Sequence, residues 1–212
     1  MATLPITDAA LDALRASVSA ALGEKRFAHT LAVEGEIASL AARFLPSKIR
    51  ELRAAALLHD LTKELSLDEQ LRICDRHCIP LPKKIEASPA VLHSITAPSV
   101  IAERYPSFAT EEILTAVARH TVGHPEMSTF DKLLFLADYI EPTRKPTSCQ
   151  AVRCGFYKAL SESSSLVEDL RALDSAVFAA ISATITYLER SSLPILPESY
   201  EVYKAFQARV SG

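Results

Sequence analysis

Apolar positions recur three and four residues apart along nearly the whole chain. No stretch of useful length alternates apolar and polar as a half-buried strand would. The breaks between periodic segments carry helix-end signals. Thr7-Asp8 can cap a first helix that ends at Gly23. A second runs from about Glu24 to Leu45 and stops at Pro46, and Ser47 caps a third that continues through His59-Asp60. Ser66-Leu67-Asp68-Glu69 reads as a capping box opening a fourth helix, which ends before Pro80. The prolines between Ile79 and Pro89 mark a loop. A fifth helix starts near Pro89 and ends by Tyr105-Pro106, and Thr110-Glu111-Glu112 opens a sixth that runs through His120. After the turn Gly123-His124-Pro125, a seventh begins at Ser128 and stops at Glu141-Pro142. Two more cover about Ser148 to Glu162 and Ser165 to Arg190, and an amphipathic piece covers Pro197 to Arg209. The pattern predicts an all-α chain forming one domain over residues 1–212. Its core would lie at about 24–145, with the segment after Arg144 packed on it.

Composition supports helix: only 5 of 212 residues are glycine. A hydrophobic fraction of 49% at this length allows a core that needs no covalent staples. The net charge of −3 offers no basic footprint, so neither nucleic acid nor a membrane surface is expected as a partner. Ser175 to Leu188, an uncharged apolar-leaning run, is too short to span a bilayer. Met1 to Pro5 lacks the start of a secretory signal, and no C-x-x-C pair occurs among Cys74, Cys78, Cys149 and Cys154. A cytoplasmic protein with free thiols is expected. Cys74 and Cys78, with His77 between them, could form half of a zinc site, but no second thiol pair has matching spacing; ordinary half-buried cysteines are the expectation.

The unusual chemistry is His59-Asp60, which ends the apolar run Leu52 to Leu58. Burying an imidazole and a carboxylate there costs several kcal/mol unless both find partners. A divalent metal satisfies both at once. Asp138 poses the same problem inside Leu133 to Ile140, where a helix already under way excludes a capping role, and a metal or a buried Arg would answer it. His29, one helical turn after Arg26, and His93 and His120 each read alone as core or solvated histidines. Together they could complete a shell of nitrogen and carboxylate ligands without thiolate, suited to a hydrolytic Fe, Mn, Zn, Co or Mg centre. Such an ion acidifies water and polarises phosphoryl oxygen. H-E-x-x-H, P-loop and G-x-G-x-x-G patterns are absent, which removes support for peptidase, kinase and dehydrogenase readings.

The order His29…His59-Asp60…Asp138 resembles the HD superfamily of metal-dependent phosphohydrolases, an all-α helical bundle. Arg26-Phe27-Ala28-His29-Thr30, Ala56 to Leu65, Leu92-His93, Arg119 to Gly123 and Lys132 to Arg144 resemble successive blocks of its YqeK family. The block Ala137-Asp138-Tyr139-Ile140-Glu141-Pro142 is the most specific of these. The resemblance implies a symmetrical diadenosine tetraphosphate (Ap4A) hydrolase, with a dinucleoside polyphosphate as substrate and ADP as product. It implies one metal ion or two, divalent or ferric, with iron favoured, held by His29, His59, Asp60 and Asp138. It assigns catalytic roles to Asp60, His93 and His120. It places Arg26, His29, Asp60, His93, His120, Asp138, Tyr139 and Arg144 against the nucleotide. Lys63 would pair with Asp60 or meet a phosphate. The chain departs from the family at His124, where Arg or Lys is usual, and at Ala183-Thr184-Ile185-Thr186-Tyr187, where Asn-Thr-Ile-Arg-Tyr is common. A broader HD-type nucleotide phosphohydrolase and a non-catalytic nucleotide-binding module are the alternatives. A homodimer is left open.

Overall fold

Helix α1 (Asp8–Ala21) starts where Thr7 Oγ1 accepts the Ala10 amide at 3.1 Å, so a side chain satisfies one of the donors that a helix start leaves free. The computed structural model describes residues 5–81 and 88–211, so most of the proline-rich loop expected at Ile79–Pro89 lies outside the described residues. Among the described residues there are ten α-helices and no β-strand.

Helix α2 (Glu24–Phe44) follows Gly23, whose amide donates to Glu64 Oε2 at 2.7 Å. Helix α3 (Ile49–Leu58) corrects two expected boundaries. Pro46 fixes a short 3-10 turn over Pro46–Lys48, so Ser47 is already inside that turn and caps nothing. At the other end the helix stops at Leu58, leaving His59 as its C-cap and Asp60 in the following turn. Helix α4 (Leu67–Arg76) has the Ser66/Glu69 capping box, with Ser66 N–H donating to Glu69 Oε2 at 2.8 Å. A 3-10 turn at Pro89–Val91 leads into α5 (Leu92–Arg104), and another at Pro106–Phe108 precedes α6 (Glu111–Arg119). Helix α7 (Thr129–Ile140) opens with a second capping box, Ser128/Asp131. Helices α8 (Thr147–Glu162), α9 (Leu166–Arg190) and α10 (Pro197–Ser211) complete the chain.

Helix α3 is the hub. Leu52 and Ala54 to Leu58 are all fully buried, and α3 packs against α1, α2, α6 and α7. Helix α7 presents Leu133, Leu134, Phe135, Leu136, Ala137 and Ile140 to the same core. Each such leucine contributes about 1.5–3 kcal/mol on burial. The carboxylates of interest stand at the ends of these two largely apolar helices, Asp60 buried and Asp138 partly so. The later helices join the same hydrophobic cluster through α9, which packs on α7, α8 and α10. Arg43 of α2 grips Asp169 of α9 with both carboxylate oxygens engaged, at 2.7 and 2.6 Å. Among the described residues no helix is long and apolar enough to cross a membrane. All four cysteines are free. Cys74 is buried and Cys78 exposed, so neither is half-buried, and no thiol joins a ligand cluster among the described residues.

Candidate metal centre

His29 lies in the second turn of α2, His59 and Asp60 directly follow α3, His93 is the second residue of α5, His120 follows α6, and Asp138 is in the last turn of α7. His59, Asp60, His93 and His120 are each at most 3% exposed. The fold thus gathers residues from five helices into one dry cluster. His29 Nε2 lies 3.0 Å from Asp138 Oδ1 and 3.8 Å from Asp60 Oδ2, and His59 Nε2 lies 3.4 Å from Asp60 Oδ2. Asp60 turns its other oxygen, Oδ1, to His93 Nε2 at 3.3 Å and His120 Nε2 at 3.8 Å. The two Nε2 atoms of His93 and His120 are 3.0 Å apart, and Thr121 Oγ1 is 3.1 Å from each.

The outer ring nitrogens fix most of the proton positions. A carbonyl oxygen only accepts, so His59 Nδ1, 2.7 Å from Ala56 O, and His120 Nδ1, 2.6 Å from Val117 O, carry the protons. Their Nε2 atoms face inward as bare lone pairs. His29 turns Nδ1 to Glu141 Oε1 at 3.1 Å, so its Nε2 also faces the cluster as an acceptor. His93 is different: its Nδ1 meets both Ala90 O at 2.9 Å and Lys63 Nζ at 3.2 Å.

In the neutral rings, lone pairs on nitrogen oppose carboxylate oxygens with no proton between them, so without a metal a proton must fill the gap. His29 Nε2 and His59 Nε2 are buried with no hydrogen-bond partner. Such orphaned acceptors are rare in native proteins and call for a cation. Two sets of ligand atoms each lie within 4.8 Å of one another: His29, His59 and Asp138, and His59, Asp60 and His120. Imidazole and carboxylate donors fit a borderline or hard divalent ion. The first set and Asp60 are the four residues expected as ligands. The second set brings in His120, which the sequence reading kept outside the ligands.

The electrostatics agree. Burial opposes ionisation of Asp60, but His59 and His120 outweigh it and hold the carboxyl well below its ordinary range. Asp138 is likewise depressed against burial, by the His29 hydrogen bond and Arg144. Burial, aided by His120 and Lys63, pushes His93 down to about 2, so this ring stays neutral. Arg26 Nη1 donates to Asp60 Oδ2 at 2.7 Å, while Arg144 pairs with Asp138 through Nη2 and donates Nε to its carbonyl at 2.9 Å. Both arginines line a cavity of about 650 Å³ beside the cluster, together with Lys25, His29, Glu64, Glu141 and Lys145.

Lys63 does not pair with Asp60 within 4.0 Å; its ammonium donates to Ala90 O at 3.0 Å and faces His93. Tyr139 is partly buried on α7, its ionisation pushed up by burial against the pull of Ser148 and Thr184. His124 Nδ1 accepts the Glu126 amide at 3.0 Å, so its ring closes the local turn. Sequence reasoning missed two residues. Thr121 touches both His93 and His120, and the only signal was its place after a candidate histidine. Glu141 touches His29; it lies in the most specific block of the resemblance, but no role was attached to it there.

Comparison with known proteins addresses the same residues. The HD-domain family model matches residues 26–143, a span containing every cluster residue. A Bacillus subtilis (strain 168) protein named symmetrical bis(5'-nucleosyl)-tetraphosphatase is 30% identical over 89% of this chain and 92% of its own length. A Staphylococcus aureus protein of the same name is 26% identical over 82% of each chain. A crystal structure of a protein from Clostridium acetobutylicum, described as a predicted HD superfamily hydrolase involved in NAD metabolism, superposes with a TM-score of 0.79. It is 26% identical to this chain, covering 93% of it and 97% of its own chain. The chain therefore belongs to the HD-domain family, in the YqeK branch that its sequence blocks resemble.

Proposed function

We propose that this chain hydrolyses bis(5'-nucleosyl) tetraphosphates symmetrically, converting Ap4A to two ADP with a bound metal ion. The observation that carries the reading is the set of inward-facing Nε2 lone pairs against Asp60 and Asp138, with Arg26 and Arg144 at the rim. The relatives named symmetrical bis(5'-nucleosyl)-tetraphosphatase support the substrate class. His29, His59, Asp60 and Asp138 would hold the ion; the donor set suits several metals, and the family resemblance favours iron among them. A metal held there supplies Lewis acidity toward a phosphoryl oxygen and acidifies a water.

The chain's own groups do the rest. Arg26 and Arg144, with Lys25 and Lys145 behind them, form a basic wall matched to a polyphosphate. Water attacks one of the two inner phosphorus atoms in line with the oxygen that bridges them. That P–O bond breaks, and the departing ADP takes up a proton while the attacking water gives one up. His93, kept neutral, orients; His120 Nε2 takes up the proton that the water gives up and, with the Thr121 hydroxyl, can then donate toward the developing charge. Tyr139 would border the nucleotide. The grouping of His59, Asp60 and His120 favours a second reading, in which Asp60 and His120 would help to hold a second ion that adds Lewis acidity. The four free thiols support a reducing, cytoplasmic setting.

Incubation with Ap4A under several metals, followed by nucleotide chromatography, tests the function. ADP alone is expected. AMP plus ATP would reject symmetric cleavage while sparing the fold.

A further inference from the structure

Three of the four imidazoles in the cluster rest their outer nitrogen on the carbonyl three residues back: His59 on Ala56, His93 on Ala90 and His120 on Val117. Each sits at or beside a helix end. His29 lies inside α2, and its Nδ1 is met instead by a carboxylate 112 residues further along, Glu141 Oε1, at 3.1 Å. Glu141 is 1% exposed and tightly held. Its Oε1 accepts from Thr143 Oγ1 at 2.7 Å, and its Oε2 accepts from the Thr143 amide. Arg153 of α8 donates to the carbonyls of both Ile140 and Glu141 and so clamps the backbone that carries it.

We propose that Glu141 is a positioning residue that selects the tautomer of His29. Its carboxylate keeps the proton on Nδ1, aims the Nε2 lone pair into the cluster and makes that nitrogen a stronger donor toward a metal. Without it the balance reverses. Asp138 Oδ1, 3.0 Å from His29 Nε2, would then draw the proton to the inner nitrogen and blunt the ligand. An anionic partner on the outer nitrogen of a ligating histidine fixes ring orientation and raises basicity, and its loss typically weakens metal affinity or activity by about 10–100-fold. Glu141 borders the cavity beside Arg144 but is 1% exposed, its carboxylate turned to His29 and Thr143. The inference rests on the metal reading given above, but its primary readout does not.

The test uses metal-free protein labelled with ¹⁵N-histidine, at a pH where the imidazoles are neutral. Long-range ¹H–¹⁵N correlations report which nitrogen of His29 holds the proton. Wild type should show Nδ1–H, and Glu141→Ala should move the proton to Nε2. Glu141→Gln, whose amide oxygen can sit where two donors converge, should keep it on Nδ1. Zinc affinity, measured by chelator competition, should fall about 10–100-fold in Glu141→Ala and less than about 10-fold in Glu141→Gln. An unchanged tautomer in Glu141→Ala overturns the proposal. So does a Gln variant as weak as the Ala variant, which would mark a packing role. If Glu141→Ala fails to fold, the near-isosteric Gln variant still decides: loss of the Nδ1 proton there overturns the idea. Wild type that takes up no zinc would sink the metal reading, while the tautomer comparison would still judge Glu141.

Discussion

Asp60 divides its two oxygens between two pairs of histidines, His29 and His59 on one side and His93 and His120 on the other. Removing it would strip a proposed ligand and leave four rings, three of them buried, without their shared anion. Asp60→Ala should therefore lose bound metal and activity while keeping most of its helical circular dichroism; full metal occupancy in that variant would end the assignment. His120 is the informative contrast. If it works on substrate, His120→Ala should retain metal and lose about 10²–10³-fold in kcat/KM, as when an oxyanion donor is removed. Metal analysis of that variant separates the models, because a metal-free protein would make His120 a ligand. At this scale the site was partly legible in the sequence. A carboxylate inside an apolar run has no bland explanation, so Asp60 and Asp138 stood out. Glu141 did not, because a glutamate before a proline at a helix end usually faces water. Only the long-range approach of α7 to α2 turns it inward.

Elements were legible wherever a side chain acts within its own turn. Ser66/Glu69 and Ser128/Asp131 are spelled out within four residues, and both capping boxes form. Ser47 misled because Pro46 starts a tighter turn first, and a proline-led 3-10 turn leaves no position for the cap. The turn after α6 depends on contacts from elsewhere. Gly123 adopts φ +84°, and a Cβ there would meet Val202 Cγ1 of α10 at 3.0 Å. Gly123→Ala should combine left-handed strain with this crowding and cost about 1–3 kcal/mol. The same turn carries His120 and Thr121, so kcat/KM should fall with it. A wild-type urea midpoint would show that α10 yields freely. Nothing in the local sequence announces this contact, because its two sides, a turn and helix α10, lie far apart along the chain.

For the molecule as a whole, the cluster sets how stability depends on pH. Burial disfavours the His59 imidazolium, but Asp60 and Asp138 outweigh it, so the metal-free fold holds this proton above the ordinary histidine value. A raised folded pKa stabilises fully below the unfolded value of about 6.5 and is lost as pH rises through the folded value. Asp60 and Asp138 have depressed folded values, so their contribution is present above about pH 4 and fades as pH falls. His93 acts the other way: held neutral down to about 2, it costs stability as pH falls below about 6.5. Metal-free protein should thus be most stable near about pH 6.5, and a bound cation should displace the His59 proton and extend the range upward. Urea titrations with chelator and with zinc across pH 3–9 check this; equal metal-free stability at about pH 6.5 and 9 would contradict it. The distance along the chain between His29 and Glu141 has a consequence in time. Loop closure over 112 residues is a late event, so α7 docks on α2 only after much of the chain has already collapsed. An ion that needs both helices has nothing to hold in the transition state. It should leave the folding rate unchanged and slow unfolding alone, so in stopped-flow chevrons only the unfolding arm should move on adding metal. The residence of the ion would then set how long a folded molecule lasts.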